Sequence, residues 1–396
     1  MRLVAGIDTP KGNWAALVKI DIVSNERDTA IACLQHLNEV LQEIAIVPTS
    51  LELGQSISSF EQRATVLIGF SARFFKGPLT RNRDTHQSAS RFGIKKPVPK
   101  GLKKMNLVGD GYFREVCTEE QIGNKESDLL VLFESFFKEE YEELLTKINS
   151  LTKPLQIKAI HKGFQALDNR DHTGFKDGTS NLQDIKSSQP ERYQSYVYVH
   201  DGEAGNSIYD GGTYLVFRKY IENLPHWFSN SFRITDKDGK SYYGNVARER
   251  AMGRSTREDL VIDRDTGEHL AIQFDSEEGC RAYNESHIRH ANPRRYGITQ
   301  FGDPVVLQDV RILRRGFSFT ESGINGTKHG LLFICFQSNI QERGFEFINN
   351  QWLMAGGFMG CKDKFLDPAS GIVEPIDGCY YYIPTIGEFP GSIFFD

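Results

Sequence analysis

Apolar positions along this chain repeat with two different periods. Ala15 to Ile22 and Thr65 to Phe70 are dense apolar runs of strand length. Between them, Asp28 to Ile44 sets Ile31, Leu34, Leu37, Val40, Leu41 and Ile44 on one face of a helix. Leu129 to Phe133 reads as a strand, Ser135 to Ile148 as an acidic helix and Leu155 to Ile160 as another strand. The order β-α-β-β-α-β predicts a ferredoxin-like unit of the α+β class. The second half repeats that order coarsely, with no residue-level repeat. Tyr196 to His200, Thr213 to Lys219, Val310 to Phe319 and Leu331 to Phe336 read as strands. A helix is expected after Glu222 and another over Ile340 to Trp352. Lys76 to Lys104, basic and rich in breakers, reads as a long solvated loop. Asp184 to Arg192 reads as a polar linker, and Thr235 to Lys240 and Glu321 to Lys328 as loop tips.

A chain of 396 residues is long enough for two domains of ordinary size. Its net charge of −5 gives no reason to expect nucleic acid or an acidic membrane surface as a partner. No window reaches the ~18 consecutive apolar residues of a membrane helix. Met1 to Asn13 shows no basic stretch followed by an apolar core, and no twin-arginine leader, which points to the cytoplasm. Six scattered cysteines with no Cys-x-x-Cys pair are expected to be free and mostly buried thiols.

The candidate chemistry starts at Gly174-Phe175-Lys176-Asp177-Gly178-Thr179-Ser180. Glycines on either side of a lone carboxylate let the backbone turn sharply and approach a ligand closely. Further on come Ser286-His287-Ile288-Arg289-His290-Ala291-Asn292-Pro293-Arg294 and Arg311-Ile312-Leu313-Arg314-Arg315-Gly316. An acid, a histidine and an arginine in that order can build a haem peroxidase.

These words resemble the dye-decolourising peroxidase family. Its hallmark Gly-x-x-Asp-Gly is met by Gly174 to Gly178. Asp210 to Arg218 is similar to the strand after the hallmark, Arg248 to Arg254 to the next helix, and Gly330 to Phe336 to the penultimate core strand. The likeness runs from about residue 60 to residue 355.

The resemblance implies two ferredoxin-like domains, each an antiparallel sheet with helices on one face, with haem in the C-terminal half. The expected division is 1–183, ending with the Gly-x-x-Asp-Gly loop, and 193–396. The implied cofactor is one non-covalent haem b per chain, and no Cys-x-x-Cys-His word is present for covalent attachment. His287 would be the proximal iron ligand, with His290 its rival on nearly the same helical face. A carboxylate should hold the far nitrogen of His287, and Asp363 and Asp367 are its candidates. Asp177 would move the peroxide proton, and Gly178, Thr179 and Ser180 would lie against the porphyrin. Arg314 would stabilise charge on the peroxide; Arg315 is its rival, since only one of two neighbours in a strand can face the haem. Asn292, Pro293 and Arg294 would bound the haem, with Arg294 on a propionate.

Hydrogen peroxide and aromatic electron donors such as dyes and phenols are the implied partners, and a homo-oligomer is compatible with the family. Release of iron from haem, and a non-enzymatic haem carrier or sensor, are the competing functions. Trp14, Trp227, Trp352 and Tyr380-Tyr381-Tyr382 read first as structural aromatics, with radical transfer as the alternative role.

Overall fold

The computed structural model describes residues 7–42, 64–76, 90–105, 126–257, 260–271, 282–293, 297–298, 304–305, 310–323, 326–355, 360–385 and 387–395. A nine-stranded sheet is its frame. β1 (Trp14–Ile22), β2 (Ala64–Ser71), β3 (Leu129–Ser135) and β4 (Leu155–Phe164) pair antiparallel in the order β4-β1-β3-β2. β5 (Thr213–Glu222), β6 (Phe317–Gly323), β7 (Gly326–Gln337) and β8 (Val373–Ile383) follow in the order β6-β7-β5-β8. The short segment Leu313–Arg314 leads into β6 and also pairs with β7.

Each quartet sets its first strand between its third and fourth, with its second outside the third. That is the ferredoxin-like order twice over. The outer strands then meet. Ser71 and Phe70 of β2 pair with Tyr381 and Tyr382 of β8, and Phe164 of β4 pairs with Ser318 of β6. The sheet is thereby closed on itself, which leaves neither quartet an open edge.

Strand alternation sorts the side chains into separate cores. Ala15 and Leu17 of β1 join Leu130, Leu132, Leu215, Phe217, Phe319, Leu332 and Tyr381 inside the closed sheet. Ala16, Val18 and Ile20 face outward. There they meet α1 (Arg27–Gln42), which buries Ala30, Cys33, Leu34, Leu37 and Leu41, and α2 (Lys138–Asn149), which buries Tyr141, Leu144, Leu145 and Ile148. The outer face of the second quartet is covered by Trp227, Phe232, Ile348, Trp352, Phe365 and Leu366. The candidate site forms in this third core.

Several expectations change. Tyr196 to His200 is not a strand: α3 (Pro190–Val197) occupies its start. Pro190 suits the first helical turn, where its missing N–H costs nothing, and Tyr193, Tyr196 and Val197 share the buried face. The linker over Asp184 to Arg192 is therefore largely structured, with a short helical turn at Leu182–Ile185 before α3. The second helix starts at Lys138, because Ser135 still pairs in β3 with Trp14. Ile340 to Trp352 becomes helical only from Phe345, since Asn339 first turns the chain by accepting from Gln341 N and Glu342 N. Glu321 and Lys328 pair within the β6–β7 hairpin instead of forming a loose tip. In the basic loop, Arg91 is buried against Asp128, while Arg81 and Arg83 lie outside the described residues, as do Cys117 and Cys280. Trp227, Trp352, Tyr381 and Tyr382 are fully buried core residues, and Cys33, Cys335 and Cys379 are buried free thiols. No helix among the described residues is long and apolar enough to cross a membrane.

Arg315 ties the second quartet to the first. It is 5% exposed and grips Glu134 of β3, itself 3% exposed, at 2.7 and 2.8 Å. It also donates to Thr9 O at 2.8 Å and Pro10 O at 3.0 Å, which fixes the N-terminal segment. Removing one partner of such a pair strands a buried charge, typically at about 3–5 kcal/mol. Glu134→Ala is therefore expected to lower the urea unfolding midpoint by an equivalent amount. A loss under ~1 kcal/mol would show that the pair does not hold the quartets together.

Candidate active site

The segment carrying Asp177 is a miniature hairpin. Arg170 and Lys176 bridge across it, Asp171 N donates to Phe175 O, and Asp177 N donates to Asn169 O at 2.7 Å. Gly174 turns at φ +90° and Gly178 at φ +78°, backbone conformations that glycine adopts without strain. Trp227 Nε1 holds the turn through Thr173 O at 3.0 Å. Asn181 then binds the loop to the strand: its side chain accepts from Arg314 N at 3.0 Å and donates to Arg314 O at 2.8 Å.

Arg314 and Arg315 diverge as neighbours in a strand must. Arg314 lines the cavity and donates from Nη2 to Thr179 O at 2.7 Å, while Arg315 is consumed by Glu134. Arg314 does not touch Asp177. The cation on Asp177 is Lys11, whose Nζ is 3.3 Å from Oδ2; the other carboxylate oxygen accepts from Gly178 N at 2.7 Å.

His287 opens the short helix α4 (His287–Ala291). The helix Gly244–Met252 packs close beside it, for a Cβ on Gly253 would come within 2.8 Å of Ser286 and Ile288 side-chain atoms. His287 Nδ1 donates to Asp363 Oδ2 at 2.6 Å. Asp363 is fully buried and its other oxygen accepts from Phe365 N at 2.8 Å and Leu366 N at 3.2 Å. That arrangement fixes the ring and leaves Nε2 for a ligand. Asp367 has a different task, capping the turn Pro368–Ser370. His290 is turned away: it is buried, its Nδ1 donates to Trp352 O at 2.7 Å, and burial pushes its pKa down.

One cavity gathers Asp177, Thr179, Ser180, His287, Asn292 and Arg314. Leu331, Phe333, Phe345, Ile348, Leu353, Phe365 and Val373 give it an apolar wall. Gly178 instead lines an adjoining polar pocket, shared by Asp177, Arg314, Lys11 and Asn181. Pro293 is buried just past α4 and is not in the cavity wall; Arg294 lies outside the described residues. The motifs assign no role to Lys11, Asp171, Asn181, Glu222, Arg254 or Arg311, although Arg254 and Arg311 stand within them. All but Asn181 bring an ionisable group to the cavity or its polar annex, from five separate segments. Arg254 is also tied to the loop, through Lys176 O at 3.0 Å. Burial pushes Asp171 up to about 6, helped by Asp177, and it raises Glu222 well above the ordinary carboxylate range.

Known proteins are similar to this chain in sequence and in fold. Residues 168–388, more than half of the chain, match the family described as Dyp-type peroxidase, C-terminal. A dye-decolorizing peroxidase of Rhodococcus erythropolis is 27% identical over 164 residues, 39% of this chain and 41% of that protein, so the match spans well under half of the relative's length. The fold is similar to DtpA of Streptomyces lividans, at a TM-score of 0.68 and 19% identity over 99% of this chain and 95% of the other. It is also similar to a variant of DypB from Rhodococcus jostii RHA1 in complex with haem, at a TM-score of 0.61 and 16% identity over 95% and 94%. The chain belongs to the DyP-type peroxidase family.

Proposed function

We propose that this protein is a haem peroxidase that reduces hydrogen peroxide and oxidises dyes, phenols and other aromatic donors by one-electron steps. The observation that carries the reading is a single cavity lined by Asp177, Arg314 and His287, with His287 Nδ1 held from behind by Asp363. The cavity suits a flat, largely apolar, dianionic group. Its wall is aliphatic and aromatic, one imidazole offers a free Nε2, and Arg254, Arg311 and Arg314 bring positive charge for propionates. No cysteine lines it among the described residues, which fits one non-covalent haem b per chain. On this reading the chain divides at 1–183 and 193–396, and the site draws Asp177 from the first part and His287 and Arg314 from the second.

Bound haem supplies the electrons that peroxide takes up and regains them singly from aromatic donors. Asp177 accepts the proton of one peroxide oxygen and returns it to the other, so that water leaves in place of hydroxide. Arg314, held by Thr179 O and Asn181, stabilises negative charge developing on the peroxide oxygens. Asp363 keeps Nδ1 protonated and raises the donor strength of Nε2.

The test is the absorption spectrum of the haem-loaded protein before and after one equivalent of hydrogen peroxide, followed by a phenol. The Soret band should change at once and return as phenol is consumed. Metal-free porphyrin among the products would identify iron release instead, and an unchanged spectrum would leave a carrier.

A further inference from the structure

We propose that Glu222 holds a proton in the cavity wall and supplies it while aromatic donors are oxidised. The inference rests on the peroxidase reading above. Glu222 ends β5, and Asp171 stands at the turn of the hairpin that presents Asp177; both line the same cavity. Glu222 is 6% exposed, and among the described residues its Oε2 has no hydrogen-bond partner. A charge there would be buried without a bonded counter-charge, so at rest Glu222 keeps its proton. Asp171 has what Glu222 lacks. Its Oδ1 accepts from Thr173 N at 2.9 Å and from the Thr173 hydroxyl, so it is the one able to ionise.

Negative charge on Asp171 opposes ionisation of Glu222, and Asp177 in turn opposes ionisation of Asp171. Lys176 and Arg254 line the same cavity, and Arg254 Nη1 is engaged by Lys176 O. Burial and the neighbouring Asp171 carboxylate both keep the proton on Glu222.

The overall reaction needs such a store. One H2O2 and two donors AH give two waters and two radicals A•, and each electron that enters is matched by one proton. Glu222 gives its O–H proton as an electron arrives and is a carboxylate only transiently. The proton lost by the oxidised donor then restores it. Asp177 is left free for the peroxide step.

Infrared difference spectra of the haem-loaded wild type against Glu222→Gln test the proton directly. At pH 7 the wild type should show the carbonyl stretch of a protonated carboxyl that Glu222→Gln lacks and Asp171→Asn shifts. In stopped flow, Glu222→Gln should slow the donor step relative to the peroxide step by ~10-fold or more, as loss of a proton-transfer group does. Absence of the band, or a donor step as fast as wild type, overturns the proposal. Asp171→Asn is a second variant should Glu222→Gln not fold. Asp171 moves from an ordinary 3.8 to about 6, so its share of stability is complete below the lower value and lost as pH rises through the upper. Thermal unfolding of wild type should therefore fall relative to Asp171→Asn across that window; a constant difference overturns the place of Asp171 beside Glu222. Should wild-type protein not respond to peroxide, the peroxidase reading fails while the infrared band still decides the proton on Glu222.

Discussion

His287→Ala is expected to leave purification with most of its haem lost, and the remainder with a displaced Soret band. His290→Ala should keep its haem. The two histidines lie one turn apart, yet their surroundings separate them. His287 lines the cavity and its Nδ1 is committed to a buried carboxylate that is itself fixed by two backbone N–H groups. His290 is committed to the Trp352 carbonyl and lies outside the cavity wall. Removing His290 should therefore cost stability, about 1 kcal/mol for the lost hydrogen bond, and leave the spectrum alone. Haem content per chain and the Soret position of both variants check this. Normal haem and an unchanged Soret band in His287→Ala would remove His287 as the ligand.

The proximal word and the glycine-flanked acid were legible because each is a short, local pattern with a local physical cause. The glycines at 174 and 178 do adopt positive φ, as a loop presenting Asp177 requires. The choice between Arg314 and Arg315 was limited by strand alternation to one facing the cavity, but alternation does not say which. Contacts far away in the sequence decide it: Glu134 and the carbonyls of Thr9 and Pro10 take Arg315, leaving Arg314 to Thr179 and Asn181. Lys11 was unreadable for the same reason, being 166 positions from the Asp177 it contacts.

The fold shows a similar divide. The strands of the first quartet are dense apolar runs and stand within a few residues of where the pattern put them. β8 went unread because Pro375, Asp377 and Gly378 look like breakers. The pairing of β8 with β5 absorbs them through a register shift between Pro375 and Asp377, and Asp377 is buried with Lys19 at 2.6 Å and His161 at 3.0 Å. A charged residue at an inward strand position is read as solvated unless its partners, here from β1 and β4, are known. Closure of the sheet was equally hidden, since a period of two names the buried face of a strand but not its neighbour.

Asp177→Asn and Arg314→Leu should each retain haem and each slow the reaction with hydrogen peroxide. For Asp177 the expected loss is ~10²–10⁴-fold, the usual cost of removing a general acid–base group. For Arg314 it is roughly 10²–10³-fold, the scale of one lost charge-stabilising donor. The two side chains do not touch, since Asp177 is held by Lys11 and Arg314 by Thr179 O. Both line the same cavity and act on the same peroxide, so their losses should be coupled. The double variant should accordingly lose less than the product of the single losses, as residues acting on one transition state do. Stopped-flow mixing with peroxide across pH measures all three variants. Among the described residues no histidine other than His287 lines the cavity, so no imidazole stands ready to replace Asp177. An inflection near the ~6.5 of free histidine that survives in Asp177→Asn would place the base on a histidine. Single variants that both react like wild type would place peroxide activation outside this constellation, even with haem on His287.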